Sequence, residues 1–238
     1  MTIFYSHGDK GGVGKSLVSA VLIDYLCGIG RTPKVIDGDF KGADIAKRYA
    51  DTLDVSLVNL NMAGDAERAV IVFTDVIASN PGGDIVVNLP ASAGATIEEL
   101  APVLLGVAEE AGHETRISYA LGHSDLATKN FLETFESGLF GLVDPDRRCV
   151  VYPLFLGASN NFHFVASGVR DRYLDAGGFE SAMPALKPND FAMKVLSTTG
   201  RFSDLLDKNS SPLTPGERFM LDKKWLQPAL NAVSVFVK

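Results

Sequence analysis

Six short, nearly unbroken apolar runs recur along this chain, at residues 3–6, 34–36, 56–61, 84–90, 116–121 and 149–155. Strands with one wet face alternate polar and apolar residues, whereas strands covered on both faces do not. Between the runs lie stretches with helical spacing. One opens at Lys15 or Ser16 with Leu17, Val18, Val21, Leu22, Tyr25 and Leu26 on its apolar positions, and Gly28 and Gly30 end it. Others cover 67–79 (with Val70, Phe73 and Ile77), 96–112 and 124–137; Thr96 and Glu99 have the spacing of a capping box. The alternation predicts an α/β fold: a mostly parallel, twisted sheet with helices on both faces.

The last third is less periodic. Residues 208–217 read as a polar loop, a helix is expected from Glu217 towards Pro228, and the apolar tail 225–238 as a docked strand or helix. The tail lacks the basic face of a membrane-surface helix, so a membrane partner is not expected. The whole, 1–238, is expected to be one domain, with a motif-bearing core over 1–155 and a helical C-terminal part over 156–238.

A formal charge of −7 argues against binding nucleic acid by bulk attraction. Cys27 and Cys149 are the two cysteines, too few for a disulfide framework, and neither has a second cysteine at ligand spacing. No charged leader precedes the first run and no apolar stretch of about 18 residues occurs, so a cytoplasmic address is expected.

The first apolar run leads into SHGDKGGVGKSLVSA, residues 6–20. A glycine-rich loop between a strand and a helix has the logic of a phosphate cradle, with a plain glycine turn as the alternative. Without side chains at Gly11, Gly12 and Gly14, backbone N–H groups can approach an anion, and the helix N-terminus adds its dipole. Lys15 is placed to neutralise β and γ oxygens, and the Ser16 hydroxyl to ligate Mg²⁺. The generic pattern wants a glycine five residues before Gly14, where this chain has Asp9. The expected nucleotide-binding stretch is Asp9, Lys10, Gly11, Gly12, Val13, Gly14, Lys15, Ser16 and Leu17.

KGGVGKS resembles the deviant phosphate loop of the ParA/MinD superfamily of ATPases, whose signature is the early lysine, here Lys10. The resemblance implies that Lys10 reaches the phosphates of a partner subunit while Lys15 holds its own. It therefore implies a homodimer that forms around two ATP molecules. VIDGDF closes the second run with Asp37 and Asp39; two residues apart in an extended segment, both acids face the same way. In the superfamily the first such acid belongs to the magnesium shell and the second orients the attacking water, so Asp37 and Asp39 are expected in those roles. Lys10, Lys15 and Asp39 form the expected catalytic set.

The superfamily's third motif ends an apolar strand in aspartate; here that position is Asn88, followed by the expected sensing segment Leu89-Pro90-Ala91-Ser92. An amide oxygen accepts a hydrogen bond from a magnesium-bound water but brings no charge, which predicts weak metal retention and slow turnover. The metal set is thus Ser16, Asp37 and, through water, Asn88. His7 is expected to pack at a strand end. Asn160 and Asn161 are the nearest candidates for the asparagine that often meets adenine in the superfamily, though displaced from its usual place.

The resemblance implies a slow ATPase using ATP and Mg²⁺, whose dimerisation switches the positioning, partition or conjugative transfer of a cargo through a protein partner. A nucleotide-binding scaffold with little hydrolysis, or a metabolic enzyme of the same superfamily, are the alternatives.

Overall fold

A computed structural model describes residues 1–8, 10–40, 42–60, 66–90 and 94–237, with residues 66, 67, 69 and 94–96 by backbone alone. In chain order the main elements begin β1 (Thr2–Gly8), α1 (Lys15–Gly28), β2 (Lys34–Asp37), α2 (Asp44–Tyr49), β3 (Val55–Leu57), α3 (Ala66–Ala78), β4 (Ile85–Asn88) and α4 (Gly94–Glu110). They continue with β5 (Glu114–Ala120), α5 (Asp125–Ser137), α6 (Leu139–Leu142), β6 (Arg148–Pro153), α7 (His163–Ala166), α8 (Gly168–Asp175) and β7 (Phe179–Met183). Last come α9 (Asn189–Leu196), α10 (Pro215–Phe219), a π-helical stretch Met220–Leu226 and α11 (Gln227–Ser234).

The strands form one sheet in the order β3-β2-β4-β1-β5-β6-β7, and every pairing is parallel. β1 lies at the centre and runs longer than its apolar core, because all seven of its residues pair with β5. Side chains alternate between two buried layers, as the pleat requires. Ile3 and Tyr5 of β1, Ile85 and Val87 of β4, and Val150 and Tyr152 of β6 join one core with α3 to α8. Phe4, Val86, Cys149 and Val151 face the other, with α1, α2, α9 and α11.

The C-terminal third adds β7, which the sequence rhythm did not reveal, to the sheet edge beside β6. The terminal helix differs from expectation at both ends. Thr214 and Glu217 make a reciprocal capping box with Pro215 in the first turn, so the helix begins before Glu217. It also runs past Pro228. That proline lacks the N–H of an α-ladder, and the wider π turns ahead of it take up the mismatch. Trp225, Leu226, Ala229, Val233 and Phe236 are buried in the core beside α1, so the apolar tail is a docked helix. Trp225 Nε1 donates to the Pro184 carbonyl at 3.0 Å. Among the described residues no helix is long and apolar enough to cross a membrane.

Candidate functional site

β1 delivers the glycine loop to the carboxyl edge of the sheet, where ligands of open α/β sheets bind. Gly12 and Gly14 take φ of +80° and +100°, left-handed values that an L side chain rarely adopts. Gly14 also lies so close to the Phe155 ring that a Cβ there would sit 3.2 Å from it. Val13 turns inward and is buried. Lys15 is buried too, and its Nζ donates to the Lys10 carbonyl at 2.7 Å, closing the loop on itself. Ser6 Oγ donates to the Lys15 carbonyl at 2.9 Å, which pins the loop's exit to β1. Lys10 is exposed at the rim, and Ser16 and Leu17 are half-buried at the start of α1. Asp9 lies outside the described residues, as do Ala91, Ser92 and the side chain of Thr96.

Asp37 and Asp39 do not share an extended segment, because β2 ends at Asp37 and the chain turns there. Asp37 is wholly buried. Its Oδ1 accepts the Asp39 N–H at 3.2 Å and the Asn88 amide at 3.0 Å. Its Oδ2 accepts the N–H groups of Ile45 and Ala46 at 3.1 and 2.9 Å. The residue before α2, Ala43, has no capping side chain, so Asp37 supplies the cap from the preceding strand. Asp39 is half-buried, and its Oδ1 accepts the Gly42 N–H at 3.1 Å.

Asn88 closes β4 in register with Asp37. Its Nδ2 also donates to Ser16 Oγ at 3.4 Å, while its Oδ1 accepts from Ser19 Oγ at 3.4 Å. The oxygen expected to meet a magnesium-bound water thus faces away from Ser16 and Asp37. A carboxylate has about four lone-pair positions, and Asp37 meets four N–H donors. The expected metal set does not fit the ion as it stands. Among the described residues no other group of three His, Cys, Asp or Glu is placed to hold one.

A cleft of about 670 Å³ opens beside the loop, lined by Gly14, Leu17, Phe155, Lys47, Arg48 and Asn189 among others. One wall is clamped by Arg48, which is buried among Phe202, Tyr49 and the turn after α9. Its Nη1 donates to the carbonyls of Leu196 and Thr198, and its guanidinium stacks on Phe202 with 3.9 Å to the ring centroid. Burial pushes that guanidinium below the usual arginine range, against the upward pull of Tyr49 and of the Asp24 and Asp204 charges.

Asn160 lines a different cavity of about 440 Å³, with Tyr152, Arg170 and Glu180, and none of the loop residues lines it. Sequence reasoning missed Asn189, Phe155 and Arg48. Asn189 sits at the start of α9 in a segment without a motif, and Phe155 reads as the end of a strand. His7 is buried, as expected of a strand end, with its Nε2 3.1 Å from Glu98. Burial pushes the Glu98 carboxyl up, but bonds from His7, Thr134 and the Leu139 N–H outweigh it and leave it below the usual range.

Comparison with known proteins gives two kinds of likeness. Across its whole length the chain superposes on the signal recognition particle receptor FtsY from Elizabethkingia anophelis, with a TM-score of 0.52, 14% identity and 65% of FtsY covered. The structure of the MinC:MinD cell division protein complex from Aquifex aeolicus aligns over 99% of this chain and 94% of that one, with a TM-score of 0.50 and 15% identity. The likeness is one of fold: a seven-stranded parallel sheet covered by helices, of the P-loop NTPase type. In sequence, Protein MobD of Acidithiobacillus ferrooxidans is 33% identical over 90 residues, which is 38% of each chain, so this chain matches well under half of MobD's length. No family model matches the chain.

Proposed function

We propose that this chain is a slow ATPase of the ParA/MinD type that dimerises around ATP and uses that switch to position, partition or conjugatively transfer a cargo. The observation that carries the reading is the glycine loop, whose left-handed turns bring Lys15 Nζ onto the Lys10 carbonyl. An incoming β or γ phosphate oxygen would replace that carbonyl as the acceptor. Lys15, the loop N–H groups and the positive end of α1 then share the phosphate charge.

Lys10, exposed at the rim, is the natural cation for the phosphates of a second protomer. A trans lysine lowers the repulsion between two facing triphosphates only when both are bound, which couples association to ATP. Asp39, half-buried two residues beyond the end of β2, would orient a water for in-line attack on the γ-phosphorus. The nucleoside would lie along the cleft, with Asn189 as a polar group for the base. A protein cargo or activator reads the dimer, and the chain works inside the cell as one domain.

The test is nucleotide titration into the wild type and Lys15→Ala. Binding of ATP and ADP by the first, lost at least tenfold in the second, supports the reading; equal affinities reject it. Sizing of Asp39→Ala with and without ATP tests the dimer, and a monomer in both conditions removes the trans role of Lys10. One observation favours a second reading, a nucleotide-binding scaffold with little hydrolysis: the third acid of the resembled motif is a neutral amide hydrogen-bonded to Asp37. ATP turnover no faster than that of Lys15→Ala would select it.

A further inference from the structure

We propose that the Asn88 amide stands in for a divalent cation, so that this loop takes a nucleotide's phosphates without magnesium. The inference rests on the nucleotide-binding reading and concerns what neutralises the site.

Asn88 and Asp37 close neighbouring strands side by side, and both are buried. The amide lies between two oxygen acceptors, Asp37 Oδ1 at 3.0 Å and Ser16 Oγ at 3.4 Å. Its orientation follows from its partners, since Asp37 Oδ1 accepts and meets the NH₂ group. Ser19 Oγ, donating to the amide oxygen at 3.4 Å, holds it that way. The two acceptors bridged by Nδ2 are the hydroxyl and the carboxylate that a magnesium shell would recruit. A partial positive charge therefore already occupies the place between them.

The remaining bonds to Asp37 strengthen the point. Its other donors are the N–H groups of Asp39, Ile45 and Ala46. For Asp37 to turn towards a cation, at least one buried N–H would lose its partner, which is costly. The side chain beside Asp37 on the neighbouring strand, Asn88, is neutral and adds no charge to repay that loss. Mg²⁺ sheds its water reluctantly and is held by one or two carboxylates together with a substrate's phosphates, and the carboxylate beside Asn88 already meets four donors. The phosphates' charge must then fall to Lys15, to the loop N–H groups and, in a dimer, to Lys10. The ligand class is an adenine nucleotide in its metal-free form.

Calorimetric titration of ADP and ATP into the full chain, in magnesium and in EDTA, tests this directly. The wild type should bind both nucleotides with affinities that differ less than about threefold between the two buffers, and magnesium alone should not move its melting temperature. Asn88→Asp puts a second carboxylate against Asp37. It should melt lower in EDTA, recover in magnesium, and bind nucleotide at least tenfold more tightly with the metal than without, on the order of the effect of a ligand-shell change.

Wild-type binding that drops tenfold or more in EDTA overturns the inference and leaves the nucleotide reading intact. No binding in either buffer overturns both. A melting temperature of Asn88→Asp indifferent to magnesium also overturns the cation-mimic role. Should Asn88→Asp fail to fold, the two wild-type titrations decide alone.

Discussion

The two layers that cover the sheet are built from different materials. On one side, Phe131 sits among Tyr119, Phe135, Phe140, Phe164 and Tyr173, with ring centroids 5.0 to 5.6 Å from its own. That layer also buries His7, Thr128, Thr134 and Arg148, but its centre is this cluster of rings. On the other side lie α1, α2 and the C-terminal helices, where Ser19, Asp24 and Arg48 are buried, with Lys15, Asp37 and Asn88 at the carboxyl edge. Rings packed this closely against one another fill the space between them and contribute stability through the area they bury. A buried polar group stays only where fixed donors and acceptors meet it. The difference teaches that the site could form on the face where α1 and α2 bring backbone N–H groups to the sheet edge.

The contrast breaks if substitutions on the two sides act alike. Phe131→Ala should be the most damaging single change, destabilising by about 3 to 5 kcal/mol in urea unfolding. Its folded fraction should nonetheless bind nucleotide with unchanged affinity. Asp37→Ala should cost somewhat less, about 3 kcal/mol, because three backbone N–H groups and the Asn88 amide lose their acceptor. Unlike the aromatic change, it should weaken nucleotide binding in the protein that remains folded. Equal effects of both variants on affinity would remove the distinction.

Much of this was legible before any coordinates. The runs 3–6, 84–90 and 116–121 became β1, β4 and β5 because continuous apolar runs flanked by helical periodicity fit a doubly covered parallel sheet. KGGVGKS is legible because its glycines act through the backbone, which the sequence names directly. The role of Asp37 as a cap for α2 was hidden, since it depends on a helix start seven residues beyond the strand's end. The residue ahead of α2, Ala43, takes φ +48° and has no capping side chain, which leaves the job to Asp37. Arg48 was invisible for a similar reason, as its partners lie about 150 residues away, at Leu196 and Thr198. β7 escaped because FESAM has half-buried positions and no apolar run, as expected of an edge strand.

Within the loop the comparison sharpens to single glycines. Gly12 and Gly14 share left-handed backbones, but a Cβ on Gly12 meets open space while one on Gly14 meets Phe155. Gly12→Ala should therefore pay the backbone strain alone, about 1 kcal/mol, and Gly14→Ala about 2 kcal/mol once the ring must shift. Nucleotide affinity should fall further for Gly14→Ala, because Phe155 also lines the cleft. Chemical denaturation with parallel titration reads both.

The smallest effect belongs to the surface of the C-terminal helices. Glu217 closes the capping box and accepts from Lys194 Nζ at 2.8 and 3.0 Å and from the Thr214 N–H at 2.7 Å. Those bonds, the lysine's first, hold its carboxyl at about 2, below the ordinary 4.5. A carboxyl depressed by folding adds stability above its unfolded value and loses it as pH falls towards the folded one. The wild type should thus exceed Glu217→Gln slightly at neutral pH, with the gap closing between pH 4.5 and 2. Salt should shrink it at every pH, because the group is exposed and screened. A gap that persists at pH 2 would mean that the amide fails for reasons of fit, and that the charge contributes nothing.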